Sequence, residues 1–111
     1  MDPVNPSEID APELAKRLKE GGIALVDVRS PEEHDDERIA GSALVPIDAF
    51  DPQKVTDDAK GRTLVLYCMS GTRSARAAAL FAPASLPTPI TLREGIFGWK
   101  AAGLPTEGSG T

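Results

Sequence analysis

Apolar and polar positions alternate in blocks along this 111-residue chain. Asp10-Ala11-Pro12-Glu13 reads as a helix start: an Asp cap, a proline in the first turn, and a glutamate three residues on. Leu14 and Leu18 then mark one helical face, and Gly21-Gly22 ends it. IALVDV (23–28) is a short apolar, β-branched run suited to a buried strand. Ser30-Pro31-Glu32-Glu33 repeats the capping signature and opens a short acidic helix, and SALVPI (42–47) reads as a second strand. The polar stretch Asp48 to Lys60 holds a turn or a short helix. TLVLYC (63–68) is the clearest strand, with an alanine-rich helix, ARAAALFA (75–82), behind it. After the proline-rich PASLPTP (83–89), PITL (89–92) predicts a last strand and IFGWKAAG (96–103) a closing helix.

Strands alternating with helices predict an α/β domain with a mainly parallel sheet and helices on both faces. In such sheets ligands bind beyond the carboxyl ends of the strands. Cys68 stands there, at the end of the strongest strand. The length fits one domain, and no internal repeat or separate linker is visible. Residues 1–7 are expected as a flexible N-terminal segment, 8–105 as the folded domain, and 106–111 as a frayed tail.

Composition narrows the partners. With 41% hydrophobic and 26% charged residues the chain reads as an ordinary soluble protein, without an apolar run long enough for a membrane. The net charge of −5 argues against non-specific nucleic-acid binding. Charge is unevenly spread: residues 1–60 carry fifteen acidic and seven basic side chains, a net of −8, while residues 61–111 carry a net of +3. Cys68 lies in the basic half. It is the single cysteine, so no internal disulfide can form; no secretory signal is visible, and a cytoplasmic monomer is the default expectation.

The residues after Cys68 decide how to read it. A lone cysteine is more often an inert small hydrophobe than a reactive group. Here Met69-Ser70-Gly71-Thr72-Arg73-Ser74 are mostly small, and Gly71 permits backbone conformations closed to other residues. Such a loop can aim successive N–H groups at the sulfur, and a following helix adds its positive end. Both favour thiolate over thiol. Arg73 adds a positive charge and planar donors suited to an oxyanion. The bland alternative makes Cys68 a strand-end core residue, Gly71 a turn former and Arg73 a solvated helix residue.

LVDVRSPEEH (25–34), RIAGSALVPI (38–47), LVLYCMSGTRSARAA (64–78) and LREGIFGWKAAGLP (92–105), in that order, resemble a single-domain rhodanese-like sulfurtransferase over most of residues 8–105. The resemblance implies a five-stranded, mostly parallel sheet. It also implies a catalytic Cys68 that carries sulfur as a persulfide within a cradle from Met69 to Ser74. Two departures stand out: Glu37-Arg38-Ile39 replaces the usual Gly-His-Ile, and Glu94-Gly95 replaces a common glycine pair. Neither touches the cradle.

In the implied chemistry the Cys68 thiolate attacks the outer sulfur of thiosulfate or a similar small anionic donor, and sulfite leaves. Cyanide, a thiol or a protein partner then accepts the sulfur. No cofactor and no general acid are needed. His34, among Glu32, Glu33, Asp35, Asp36 and Glu37, reads as a solvated helix residue, and no second histidine or cysteine offers metal-ligand spacing. Asp27 is expected to tie loops together, Arg29 to approach the site's rim, and Phe97 and Trp99 to pack internally. Two alternatives remain: a regulatory module using the fold as a scaffold, and a cysteine phosphatase or arsenate reductase. The latter would want five residues between cysteine and arginine, and this chain has four.

Overall fold

The computed structural model describes residues 7–110. Five parallel strands, β1 (Glu8–Ile9), β2 (Ile23–Asp27), β3 (Ala43–Leu44), β4 (Thr63–Tyr67) and β5 (Ile90–Leu92), form one sheet in the order β1-β5-β4-β2-β3. Five helices join them: α1 (Ala11–Glu20), α2 (Pro31–Asp36), α3 (Pro52–Ala59), α4 (Thr72–Ala78) and α5 (Gly95–Ala101). The α/β class and the five-strand parallel sheet agree with expectation. The fifth strand, β1, was invisible in the hydrophobic pattern because only Ile9 of its two residues is buried.

Side-chain alternation along the central strands divides the core. Val65 and Tyr67 of β4 and Leu25 of β2 face a layer built by Ala11 and Leu14 of α1 with Ile96 and Trp99 of α5. Leu66 and Cys68, with Val26 and Val28, face Val55 of α3 and Ala77 and Ala78 of α4. A period of two puts consecutive residues on opposite faces, so both faces of β4 are covered and its sequence reads as a continuous apolar run.

Local chemistry sets the helix ends. Asp10 accepts from the Glu13 N–H at 2.9 Å, and Ser30 and Glu33 exchange reciprocal bonds that complete a capping box. The stretch 48–60 resolves into α3, capped by Asp51 with Pro52 in its first turn. Helix α4 starts three residues earlier than the alanine pattern suggested, because Gly71 (φ 119°) forms its cap. The strand expected over 42–47 pairs only at Ala43–Leu44. Pro46 has no N–H to donate, and a 3₁₀ turn follows at Ile47–Ala49.

Residues 1–6 of the expected loose N-terminal segment lie outside the described residues; Ser7 already accepts from the Thr91 N–H at 3.0 Å. At the other end, residues 106–110, expected to fray, lie along α2. Arg38 and Glu107 exchange backbone bonds of 2.7 and 2.9 Å, Ser109 N–H donates to Asp35 O, and Gly110 N–H donates to Asp36 O. Among the described residues no helix is long and apolar enough to cross a membrane.

Tyr67 shows how the strand ends are tied to the segment between α2 and β3. Its ring is fully buried, and its hydroxyl accepts from the Ile39 N–H at 3.1 Å and lies 2.8 Å from Ser42 Oγ. Burial pushes the phenol pKa up, so it stays a neutral hydroxyl. Tyr67→Phe would strand the buried Ile39 N–H, and a loss of about 1–3 kcal/mol is expected in denaturant unfolding. An unchanged midpoint would show that the hydroxyl contributes nothing net.

Candidate active site

The carboxyl ends of β2 and β4 lie side by side, with Asp27 paired to Tyr67 and the Val28 N–H donating to Tyr67 O at 2.9 Å. This is where the strand order reverses, the position at which open α/β sheets place ligands. Cys68 follows β4 there. Its Sγ accepts from the Gly71 N–H at 3.0 Å and the Ser74 N–H at 3.4 Å, and lies 3.7 Å from Ser74 Oγ. The Ser74 hydroxyl donates to Gly71 O at 3.1 Å, which fixes the buried serine under the sulfur.

Burial by itself raises a thiol pKa, and at Cys68 it is the largest single influence. The Ser74, Gly71 and Ser70 N–H groups outweigh it, joined by the Ser74 hydroxyl when its one proton turns from Gly71 O to Sγ, and the net direction is downward. The amides converge on the sulfur as the loop composition suggested. The sulfur is more enclosed than the sequence indicated, since Cys68 is only 1% exposed while Met69, Ser70 and Thr72 stand on the surface.

The base of the loop is held by a contact from another part of the chain. The Ile96 N–H donates to Cys68 O at 2.9 Å and the Phe97 N–H to Met69 O at 3.0 Å. These two bonds fix the 68–69 and 69–70 peptide planes, and with them the Ser70 N–H, one of the groups that lower the Cys68 pKa. Gly95 makes this approach possible: a Cβ there would sit 2.3 Å from Cys68 O and 2.6 Å from Met69 O. The sequence pattern kept the Glu94-Gly95 departure clear of the cradle, and here that expectation fails: Gly95 packs directly against Cys68 O and Met69 O, a contact between segments far apart in the chain.

Charged residues meet at the same edge in arrangements the sequence did not disclose. Arg73 does not offer its donors to the cup: Nη1 and Nη2 donate to Glu33 Oε1 and Oε2 at 2.7 and 3.0 Å. The Arg73 guanidinium holds the Glu33 carboxyl down at about 2. Arg29 is buried rather than at the rim, bound through Nε and Nη2 to Asp27 and lying 5.6 Å over the Tyr67 ring. Asp27 does tie loops together, as expected. His34 is not solvated: it is 17% exposed, with Nδ1 2.9 Å from Asp27 Oδ2. A carboxylate only accepts, so Nδ1 carries the proton. Trp99 is buried and donates to Pro105 O, whereas Phe97, expected inside, is 63% exposed.

The rhodanese-like domain profile matches residues 10–102. The chain belongs to the rhodanese-like family. Among its relatives is a protein named as a sulfurtransferase from Allochromatium vinosum, 34% identical over 100 residues that cover 89% of this chain and 92% of that protein. An uncharacterized Synechocystis protein is 37% identical, over 86% of this chain and 54% of its own length. A probable adenylyltransferase/sulfurtransferase of Mycobacterium tuberculosis is 37% identical over 84% of this chain and 24% of that protein. The chain thus spans about half of the Synechocystis relative and a quarter of the mycobacterial one. In structure it superposes on a thiosulfate sulfurtransferase from Pseudomonas aeruginosa with a TM-score of 0.80 and 29% identity, covering 95% of this chain and 20% of that one. A rhodanese-like domain from Anabaena gives 0.79 and 28%, covering 96% and 81%.

Two measurements test the electrostatics. Thiolate ultraviolet absorbance of the Cys68 thiol should titrate below the ordinary value of about 8.5, and Ser74→Ala should move the midpoint upward; a midpoint at or above the ordinary value would contradict the cup. The folded Glu33 pKa is depressed, so its stabilisation is full above the ordinary carboxyl range, near pH 4.3, and is lost as pH falls toward about 2. Glu33→Gln should therefore flatten the acid limb of the stability curve between about pH 5 and pH 2, measured by denaturant unfolding at each pH.

Proposed function

We propose that this domain moves sulfane sulfur from a thiosulfate-type anionic donor to a thiophilic acceptor through a Cys68 persulfide, with Met69 to Ser74 as the cradle. The observation that carries this reading is the convergence of the Gly71 and Ser74 N–H groups on Sγ at 3.0 and 3.4 Å. Backbone dipoles that lower the thiol pKa also suit the negative terminal sulfur of a persulfide, which carries the same charge one bond farther out. The thiolate attacks the donor's outer sulfur; the S–S bond breaks, and its electron pair leaves with sulfite. The outer sulfur keeps its negative charge on Cys68. No proton moves, and the leaving group departs as an anion without a general acid. An acceptor then attacks the terminal sulfur and restores the thiolate, a ping-pong cycle.

The phosphoryl-transfer alternative is less favoured on physical grounds. A phosphate cup uses a guanidinium to bracket the equatorial oxygens, and here Arg73 is engaged with Glu33. A scaffold-only role would leave the tuned sulfur without a purpose.

Intact mass after incubation with thiosulfate should show a gain of one sulfur atom, reversed by cyanide. Cys68→Ser should show no gain, and its thiosulfate:cyanide turnover should fall by at least about 10³-fold, the scale expected on removing a covalent nucleophile. Equal turnover by both proteins would overturn the reading, and hydrolysis of an aryl phosphate without sulfur transfer would replace it with phosphatase chemistry.

A further inference from the structure

Residues 106–110 do more than cover α2. That helix is six residues long and buries no side chain, and a helix so short does not persist without help at both ends. Its N-terminus carries the Ser30–Glu33 capping box. Its last carbonyls have no intrahelical donor and are met from the far end of the chain. Ser109 N–H donates to Asp35 O at 2.9 Å and Gly110 N–H to Asp36 O at 3.0 Å. Ser109 Oγ donates to Asp35 Oδ2 at 2.8 Å, and Thr106 Oγ1 to Glu37 Oε2 at 2.6 Å. The fit is closest at Gly108, where φ is 150° and a Cβ would overlap Asp36 O and lie 2.9 Å from Glu37 Cα.

Yet none of residues 106–110 is buried. A segment held by solvent-facing polar bonds opens locally at small cost, without unfolding the core. The consequence of opening lies at the other end of α2. The Glu33 carboxylate accepts from the Ser30 N–H at 3.0 Å and holds the Arg73 guanidinium at 2.7 and 3.0 Å. Both contacts need Glu33 at the third position of a formed helix. Arg73 directly precedes Ser74, whose N–H reaches the sulfur at 3.4 Å, and the Arg73 and Cys68 charges interact.

We propose that residues 106–110 are a releasable strap that controls the charge beside the cup. Seated, the strap completes α2 and keeps Glu33 on Arg73, which neutralises the guanidinium. Displaced, it lets the last turn of α2 fray; the capping box dissolves, and Arg73 is free to turn its charge toward the sulfur. This is a regulation of the site read above as a Cys68 persulfide centre and rests on that reading for its purpose: a freed cation there favours thiolate and persulfide anions. No covalent bond changes, so the device is reversible.

The test uses two full-length variants, Gly108→Ala, which the Asp36 backbone cannot accommodate, and Ser109→Asp, which sets a carboxylate against Asp35. Amide hydrogen exchange at Glu33, His34 and Glu37 should quicken at least about tenfold in both. The Cys68 midpoint, read by thiolate absorbance, should fall by about half a pH unit, the scale of one added charge in a partly solvated site. Glu33→Gln alone should lower it similarly, and adding either strap variant to Glu33→Gln should quicken exchange without a further fall. Unchanged exchange in both variants, or faster exchange with a wild-type midpoint, would overturn the strap. A full second fall in the Glu33→Gln background would overturn the route through Arg73. Intact mass after thiosulfate, measured on the same samples, judges the persulfide reading separately. Sulfur gain without a midpoint shift rejects the strap alone, and a midpoint shift without sulfur gain rejects the persulfide alone.

Discussion

The architecture of the site depends on two hydrogen bonds between backbones far apart in sequence. The first N–H groups of α5 take the carbonyls of Cys68 and Met69, and a peptide whose carbonyl is held on one side must present its neighbouring N–H on the other. The first two peptides after Cys68 are therefore oriented from β5–α5, while the Gly71 and Ser74 N–H groups that reach Sγ are placed by the loop's own turn and the start of α4. The 2.3 Å separation between a Cβ at position 95 and Cys68 O explains why a glycine must stand there. Its neighbour Glu94 adopts φ 61° without that freedom. A left-handed conformation of this kind costs an ordinary residue roughly 1 kcal/mol, which the clamp has to offset.

A second layer of support runs through α2. This short helix has no buried residue, so packing cannot position it. Polar contacts do: Asp27 binds both Arg29 and His34, Arg29 reaches Glu37 O, and Glu33 reaches across to Arg73 on α4. The tail residues Glu107, Ser109 and Gly110 close over its other side. A buried pair such as Asp27–Arg29 adds little net stability against a hydrophobic substitute, but losing one partner is severe because the other charge remains buried. The network thus fixes the direction of α2 more than it strengthens the fold.

Much of this was legible in the sequence, and what was not has a common cause. The strand and helix blocks, the two capping signatures and the strand-end cysteine depend on residues close together in the chain, and those appeared in place. The matches at Asp27 and Trp99 also followed from local context. Two misses involve partners distant in sequence, Glu33 with Arg73 forty residues away and Gly95 against Cys68; His34 meets Asp27 only seven residues off, across a strand end and a turn. His34 was misread because its acidic neighbours face solvent while its own side chain turns back to the sheet. β1 escaped notice because two residues cannot display a period.

The sheet's two outer strands, β1 and β3, are each two residues long, while the longer β2 and β4 lie in the interior. An open sheet is vulnerable along its rims, where unpaired peptide groups invite another chain to add a strand. Here the rims are too brief to template such growth, and the apolar ribbons are already paired on both sides. The same economy that made β1 hard to see in the sequence gives this small domain protection against ordered self-association.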